Sequence, residues 1–137
     1  MKSWTFRISP KLLSPELGSA FIHVLEMAAV LLACHVWMRD GVPGPVLFFI
    51  DNNTALGSII KGRSNAAILR SQVHELWLML AGARAEAWFE RVPSAENISD
   101  LPSRMDDTWI LIFRERYGIE PVRRNLPADL LRWACVW

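Results

Sequence analysis

Apolar positions along the chain change period several times, and each change marks an element. Trp4, Phe6 and Ile8 alternate with Thr5 and Arg7, the period of a half-buried strand, which Pro10 ends. Lys11 to Ser19 holds Pro15 and Gly18 and reads as a connection into a helix near Ala20. From Phe21 to Arg39 the chain is apolar nearly all round, which predicts a helix covered on most sides and closed by Asp40-Gly41. Val46 to Ile50, entered through Pro43-Gly44-Pro45, is a run of five apolar residues with β-branched and aromatic members. Its length predicts a strand buried on both faces, as in a parallel or mixed sheet. The run stops at Asp51, and Asn52 and Asn53 are natural caps for a short helix through Ile60. Asp51 therefore stands where a buried strand hands over to a helix, the end at which open α/β sheets bind ligands.

Lys61-Gly62-Arg63-Ser64-Asn65 is a polar connection with a Gly to close one helix and Ser64 or Asn65 to cap the next. In that next helix Leu69, Val73, Leu76 and Leu80 form a buried stripe, Arg70, Ser71 and His74 lie off it, and Gly82 ends it. Arg84 to Val92 reads as another strand stopped at Pro93, Ser94 to Asn97 as a loop, and Ile98 as the start of a short helix limited by Pro102. Trp109 to Tyr117 fits a helix capped by Asp107 or Thr108 and closed by Gly118, and Leu130 to Trp137 fits one more after Pro127. Three of the seven tryptophans, Trp109, Trp133 and Trp137, fall in this tail, which either packs over the sheet or offers a surface to a neighbouring domain. There is no internal repeat and no linker long enough to separate two domains.

At 137 residues and 52% hydrophobic content the chain suits one domain with a single core. The formal net charge of +1 excludes a global pull toward nucleic acid, so any basic surface must be local. Cys34 and Cys135 have no zinc-like spacing and read as reduced core thiols of an intracellular protein, in cytoplasm or nucleus. Phe21 to Met38 is apolar enough to raise a membrane span, yet it is barely long enough and holds His23, Glu26 and His35. A carboxylate at bilayer depth is costly, and the run lies too far from the N-terminus for a signal peptide, so a soluble chain is expected.

Three carboxylates stand in awkward places. Glu26 is the only charged side chain between Glu16 and Arg39; it either falls on an exposed edge of its helix, pairs with an Arg, or is held by something else. Asp51 is a cap candidate beside Asn52 and Asn53. Asp100 falls at the third helical position if Asn97 is the cap, where the helix dipole favours it. Each has a structural explanation alone. Together they belong to a helix, a strand end and a helix start that can converge on one sheet edge, and clustered carboxylates are unfavourable unless a cation holds them. Hard oxygen ligands in small number suit Mg²⁺ or Mn²⁺, the equipment of two-metal phosphodiester cleavage.

Ile22-His23-Val24-Leu25-Glu26-Met27-Ala28-Ala29, then Phe49-Ile50-Asp51-Asn52-Asn53-Thr54-Ala55 with Lys61-Gly62-Arg63-Ser64, then Arg91-Val92-Pro93-Ser94, Asn97 and Asp100-Leu101-Pro102-Ser103-Arg104 come in that order. Over Trp4 to Arg104 this resembles the ribonuclease H domain of retroelement reverse transcriptases, in particular that of tyrosine-recombinase (DIRS-type) retrotransposons. The resemblance implies an α/β, ribonuclease H-like fold with a mixed five-stranded sheet and helices on both faces. Residues 1–105 would form that domain and 106–137 a helical C-terminal extension. It implies Mg²⁺-dependent (or Mn²⁺-dependent) endonucleolytic cleavage of the RNA strand of an RNA/DNA hybrid, with Glu26, Asp51 and Asp100 as catalytic metal ligands. By position, Asn53, Thr54, Lys61, Arg63 and Ser64 would touch the hybrid backbone, reading RNA by its 2′-OH rather than by sequence. A reverse-transcriptase domain is the neighbour the family would supply.

One departure bears on activity. The family opens with a strand carrying a further metal-binding Asp and a Gly-rich hairpin, and no Asp occurs here before Asp40. The chain is thus expected to enter after that strand, lacking one carboxylate and one central strand, with weaker metal binding and an exposed sheet edge. Some cellular relatives also place a His before the last catalytic Asp; Arg91 to Asp100 has none. His23, His35 and His74 read as helix-surface or core residues. The alternative function is a degenerate domain that binds nucleic acid or protein without catalysis, and a helical membrane-associated protein is a third class.

Overall fold

The computed structural model of the chain describes residues 2–5, 21–39, 44–101 and 107–123. Phe6, Ile8, the connection at 11–19, Asp40-Gly41, Pro102, Cys135 and the helix expected over 130–137 lie outside them. The protein is α/β, with its strands in parallel pairs.

Helix α1 spans Phe21–Arg39, as the pattern predicts, with no Pro or Gly to interrupt it. Val24, Met27, Ala28, Leu31, Leu32 and Cys34 are buried, which covers a wide stripe of the helix. Among the described residues, no helix is long and apolar enough to cross a membrane. Burial pushes the Cys34 thiol up to about 12, so this cysteine is an inert core residue.

Strand β2 (Pro45–Ile50) pairs in parallel with β3 (Glu86–Arg91), in a register that sets Leu47 opposite Trp88 and Ile50 opposite Arg91. Helices α2 (Asn53–Lys61) and α3 (Ala67–Gly82) make the crossover that parallel pairing requires. Phe48, Ile50, Ala87 and Phe89 face this layer and join Met27, Leu31, Ile59, Leu69, Val73, Leu76 and Leu80 in the main core. Phe48 and Phe89 stack at 4.9 Å, and Trp77 meets Phe89 edge-on while its Nε1–H donates to the Ile59 carbonyl at 3.1 Å. The buried Gln72 amide donates to the Val24 carbonyl at 3.1 Å and pins α3 to α1.

Burial of β2 on both faces does not occur. Leu47, Phe49 and Trp88 are 53%, 60% and 66% exposed, so the side of the pair turned away from the helices is open. Among the described residues each sheet is a two-stranded parallel pair, and the described helices cover the β2–β3 pair on one side. A run of apolar residues marks a strand but does not say how many layers pack on it.

One local expectation is narrowed to a single residue and two shift. Asn52 is the cap of α2, its extended backbone bringing Oδ1 to the Ala55 N–H at 2.9 Å. Helix α3 starts after Ala66, which offers no side-chain cap; Ser64 Oγ instead accepts from the Ala66 N–H at 3.2 Å. Strand β3 begins at Glu86 because Arg84, at φ 51°, turns the chain out of α3 in the left-handed region usually left to Gly or Asn.

After β3, 3₁₀ turns at Ser94–Glu96 and Ile98–Asp100 precede α4 (Thr108–Tyr117), closed by Gly118 at φ 61°. Trp109, Phe113 and Ile119 form a second small core, against which Ile98, Leu101 and Ile110 pack. Strand β4 (Glu120–Arg123), which the apolar pattern does not reveal, pairs in parallel with β1 (Lys2–Thr5). Arg114 on α4 clasps Glu120 through both carboxylate oxygens, fixing the turn between α4 and β4.

Candidate functional site

Glu26 projects from the second turn of α1 and is half-buried. Asp51 follows the last residue of β2, and Asp100 closes the second 3₁₀ turn, whose Ile98 is anchored on the α4 core; both are half-buried. Burial holds the Glu26 carboxyl above its ordinary value of 4.5, the negative charges of Asp51 and then Asp100 push it further up, and His23 draws it back. Two elements distant in sequence from α1 thus bring Asp51 and Asp100 within electrostatic reach of Glu26.

Structural explanations for the acids fare unequally. Capping does not account for Asp51, because Asn52 holds that role. Glu26 is not on a fully exposed edge. Asp100 does occupy the third position of its turn, where Asn97 Nδ2 donates to its Oδ1 at a long 3.4 Å while the Asp100 N–H donates to the Asn97 carbonyl at 3.1 Å.

In kind, the set suits Mg²⁺ or Mn²⁺: three hard carboxylates, all partly solvated, with a repulsion on Glu26 that a cation would relieve. Its spacing is looser than one shell, since among the described residues no group of three His, Cys, Asp or Glu side chains is close enough to hold a single ion.

Two residues enter the site that the apolar pattern left aside. His23 sits three positions before Glu26, hence on the same helix face. Its Nδ1 is 3.0 Å from Asn52 Nδ2 and 3.1 Å from Asn52 Oδ1, so one hydrogen bond joins the imidazole to the Asn52 amide. That bond ties the helix bearing Glu26 to the strand end bearing Asp51. Arg91 at the end of β3 donates from Nε to Asn53 Oδ1 at 2.8 Å, setting a cation beside the start of α2. The i, i+3 spacing from Glu26 could have flagged His23; Arg91 gave no such signal.

The residues expected to touch nucleic acid divide between the ends of α2. Asn53 and Thr54 are exposed at its start, next to Asp51. Lys61 and Arg63 are exposed at its far end, and Ser64 is half-buried in the turn beyond. Nine residues of helix separate the two groups by about 14 Å.

The shifted carboxyl gives a stability test. Because the folded value of Glu26 is raised, the native state holds its proton more readily than the unfolded chain; the contribution is most favourable below 4.5 and is lost as pH rises through the folded value. At neutral pH ionised Glu26 is therefore a cost. Glu26→Gln is expected to stabilise the protein at neutral pH and to raise its Tm. Thermal melts at about pH 8 and about pH 4 check this. The gain should shrink on acidification, and a loss of stability at the higher pH would refute the assignment. No family model, curated protein or solved structure matches the chain.

Proposed function

We propose that the protein is a ribonuclease H-like endonuclease domain, derived from a retroelement, that cleaves the RNA strand of RNA/DNA hybrids. The observation that carries the reading is the electrostatic convergence of Glu26, Asp51 and Asp100 from α1, the end of β2 and the turn after β3. Charge of one sign is gathered where each acid is only half-hidden from water, an arrangement that costs stability and calls for a use. These three carboxylates would hold Mg²⁺, with Mn²⁺ as substitute, and such ions would supply water activation and charge neutralisation at the leaving oxygen. Asn53, Thr54 and Arg91 flank the acids and would orient the backbone of the hybrid, while Lys61, Arg63 and Ser64 would grip it farther along.

A second reading has its own support. The acids do not close into a single-ion group among the described residues, which favours a domain that binds nucleic acid or a protein partner without cutting. Incubation of the purified chain with a hybrid labelled on each strand, in Mg²⁺ and separately in Mn²⁺, separates the two. Cleavage confined to the RNA strand is the expected result. A folded chain that binds the hybrid and cuts in neither metal would establish the non-catalytic reading.

A further inference from the structure

Apolar burial holds α1 against α3 without directional preference, so it fixes the turn of the helix about its own axis less closely than hydrogen bonds do. Two hydrogen bonds add direction, and they come from consecutive residues of α1. The His23 imidazole meets the Asn52 amide through Nδ1, and the Val24 carbonyl accepts from the fully buried Gln72 Nε2 at 3.1 Å. One bond reaches the start of α2 and the other reaches α3, so together they hold the first turns of α1 against both rotation and sliding. Asn52 is itself fixed, since its Oδ1 accepts from the Ala55 N–H at 2.9 Å and its carbonyl from the Leu56 N–H at 3.0 Å. Glu26 follows His23 by one helical turn, and Asp51 directly precedes Asn52.

We infer that His23 is a positioning residue: with Asn52 it forms a latch that fixes where Glu26 stands relative to Asp51, while the ring itself stays off the reacting atoms. The inference rests on the carboxylate reading of the site and adds to it a side chain that acts through hydrogen-bonding shape. Groups that hold a metal have to be kept within about 0.5 Å of their productive geometry. Among the described residues the acids are already spread more widely than a single-ion group, so drift of α1 would lose Glu26 from the set. The bond uses Nδ1, the ring nitrogen nearest the backbone. An Asn at this position carries its amide where Nδ1 stands, so the latch should accept Asn in place of His23.

The test compares His23→Ala, His23→Asn and Asp51→Asn with the parent chain, all held below the melting temperature of the least stable. Amide hydrogen exchange of the metal-free proteins reads the latch, Mn²⁺ titration followed by electron paramagnetic resonance reads the site, and cleavage of a labelled RNA/DNA hybrid in Mg²⁺ reads its use. His23→Ala should speed exchange in the first turns of α1, weaken Mn²⁺ binding by about 10–100-fold, and lower kcat with KM for the hybrid unchanged. His23→Asn should restore all three. His23→Ala with the parent's exchange and Mn²⁺ affinity would overturn the latch while leaving the carboxylate reading intact. His23→Asn as impaired as His23→Ala would overturn positioning in favour of an imidazole that acts directly. Asp51→Asn that binds Mn²⁺ and cuts as the parent does would overturn the carboxylate reading, and a parent chain that binds no Mn²⁺ would overturn both.

Discussion

Asp51→Asn is expected to leave the fold unchanged and to lower hybrid cleavage by roughly 10²–10³-fold, the loss that follows removal of one electrostatic group from a transition state. The substitution keeps shape and hydrogen-bonding reach and removes only the charge. Stability should stay within about 0.5 kcal/mol of the parent, because the neighbouring Asn52, not Asp51, caps α2. Asn52→Ala supplies the contrast: it strips the Ala55 N–H of its acceptor and His23 of its partner, and should cost about 1 kcal/mol. Side-by-side urea melts and cleavage rates separate a chemical role at Asp51 from a structural one. Should Asp51→Asn unfold as readily as Asn52→Ala and cut as fast as the parent, the carboxylate would belong to the scaffold.

The largest stability effect is expected at Leu76. It is fully buried where α3 meets α1 and the sheet, in the cluster that joins α1, β2, α2, α3 and β3. Leu76→Ala removes apolar contacts and leaves a cavity that rigid neighbours cannot fill, at a cost of about 2–5 kcal/mol. Domains of this size hold about 5–15 kcal/mol in all, so a large share of the total would go. Leu78, two residues along the same helix and 55% exposed, should tolerate Ala within about 0.5 kcal/mol. Equal costs at the two positions, in denaturant melts, would mean that the α3 stripe is not the core.

Regions where local and long-range preferences agree were legible from the residues alone. The bounds of α1, the Leu69-Val73-Leu76-Leu80 stripe and the glycine-closed ends of α2 and α4 all follow from period and cap chemistry. Strand β4 was not legible. Glu120-Pro121-Val122-Arg123 has no period-2 pattern and contains a residue that strands avoid, and it is extended because β1 lies alongside to pair with it. The choice among Asp51, Asn52 and Asn53 as cap was equally hidden, since all three side chains can do it and only the backbone turn at Asn52 decides. For the candidate site, composition and spacing marked the three acids, while the His23–Asn52 bond that binds their elements together depends on α1 lying against the start of α2. Such contacts arise from packing and leave little trace in one dimension.

The pairing of β1 with β4 joins the first described element to the last. During synthesis Lys2–Thr5 leaves the ribosome early and has to wait until α1, the whole β2–β3 unit and α4 have emerged before its partner strand exists. Closing so long a loop is slow relative to helix formation, so this pair should be the last to form and the first to open. Until then the nascent chain presents a bare strand edge, and its yield in a cell should depend on chaperones that shield such edges.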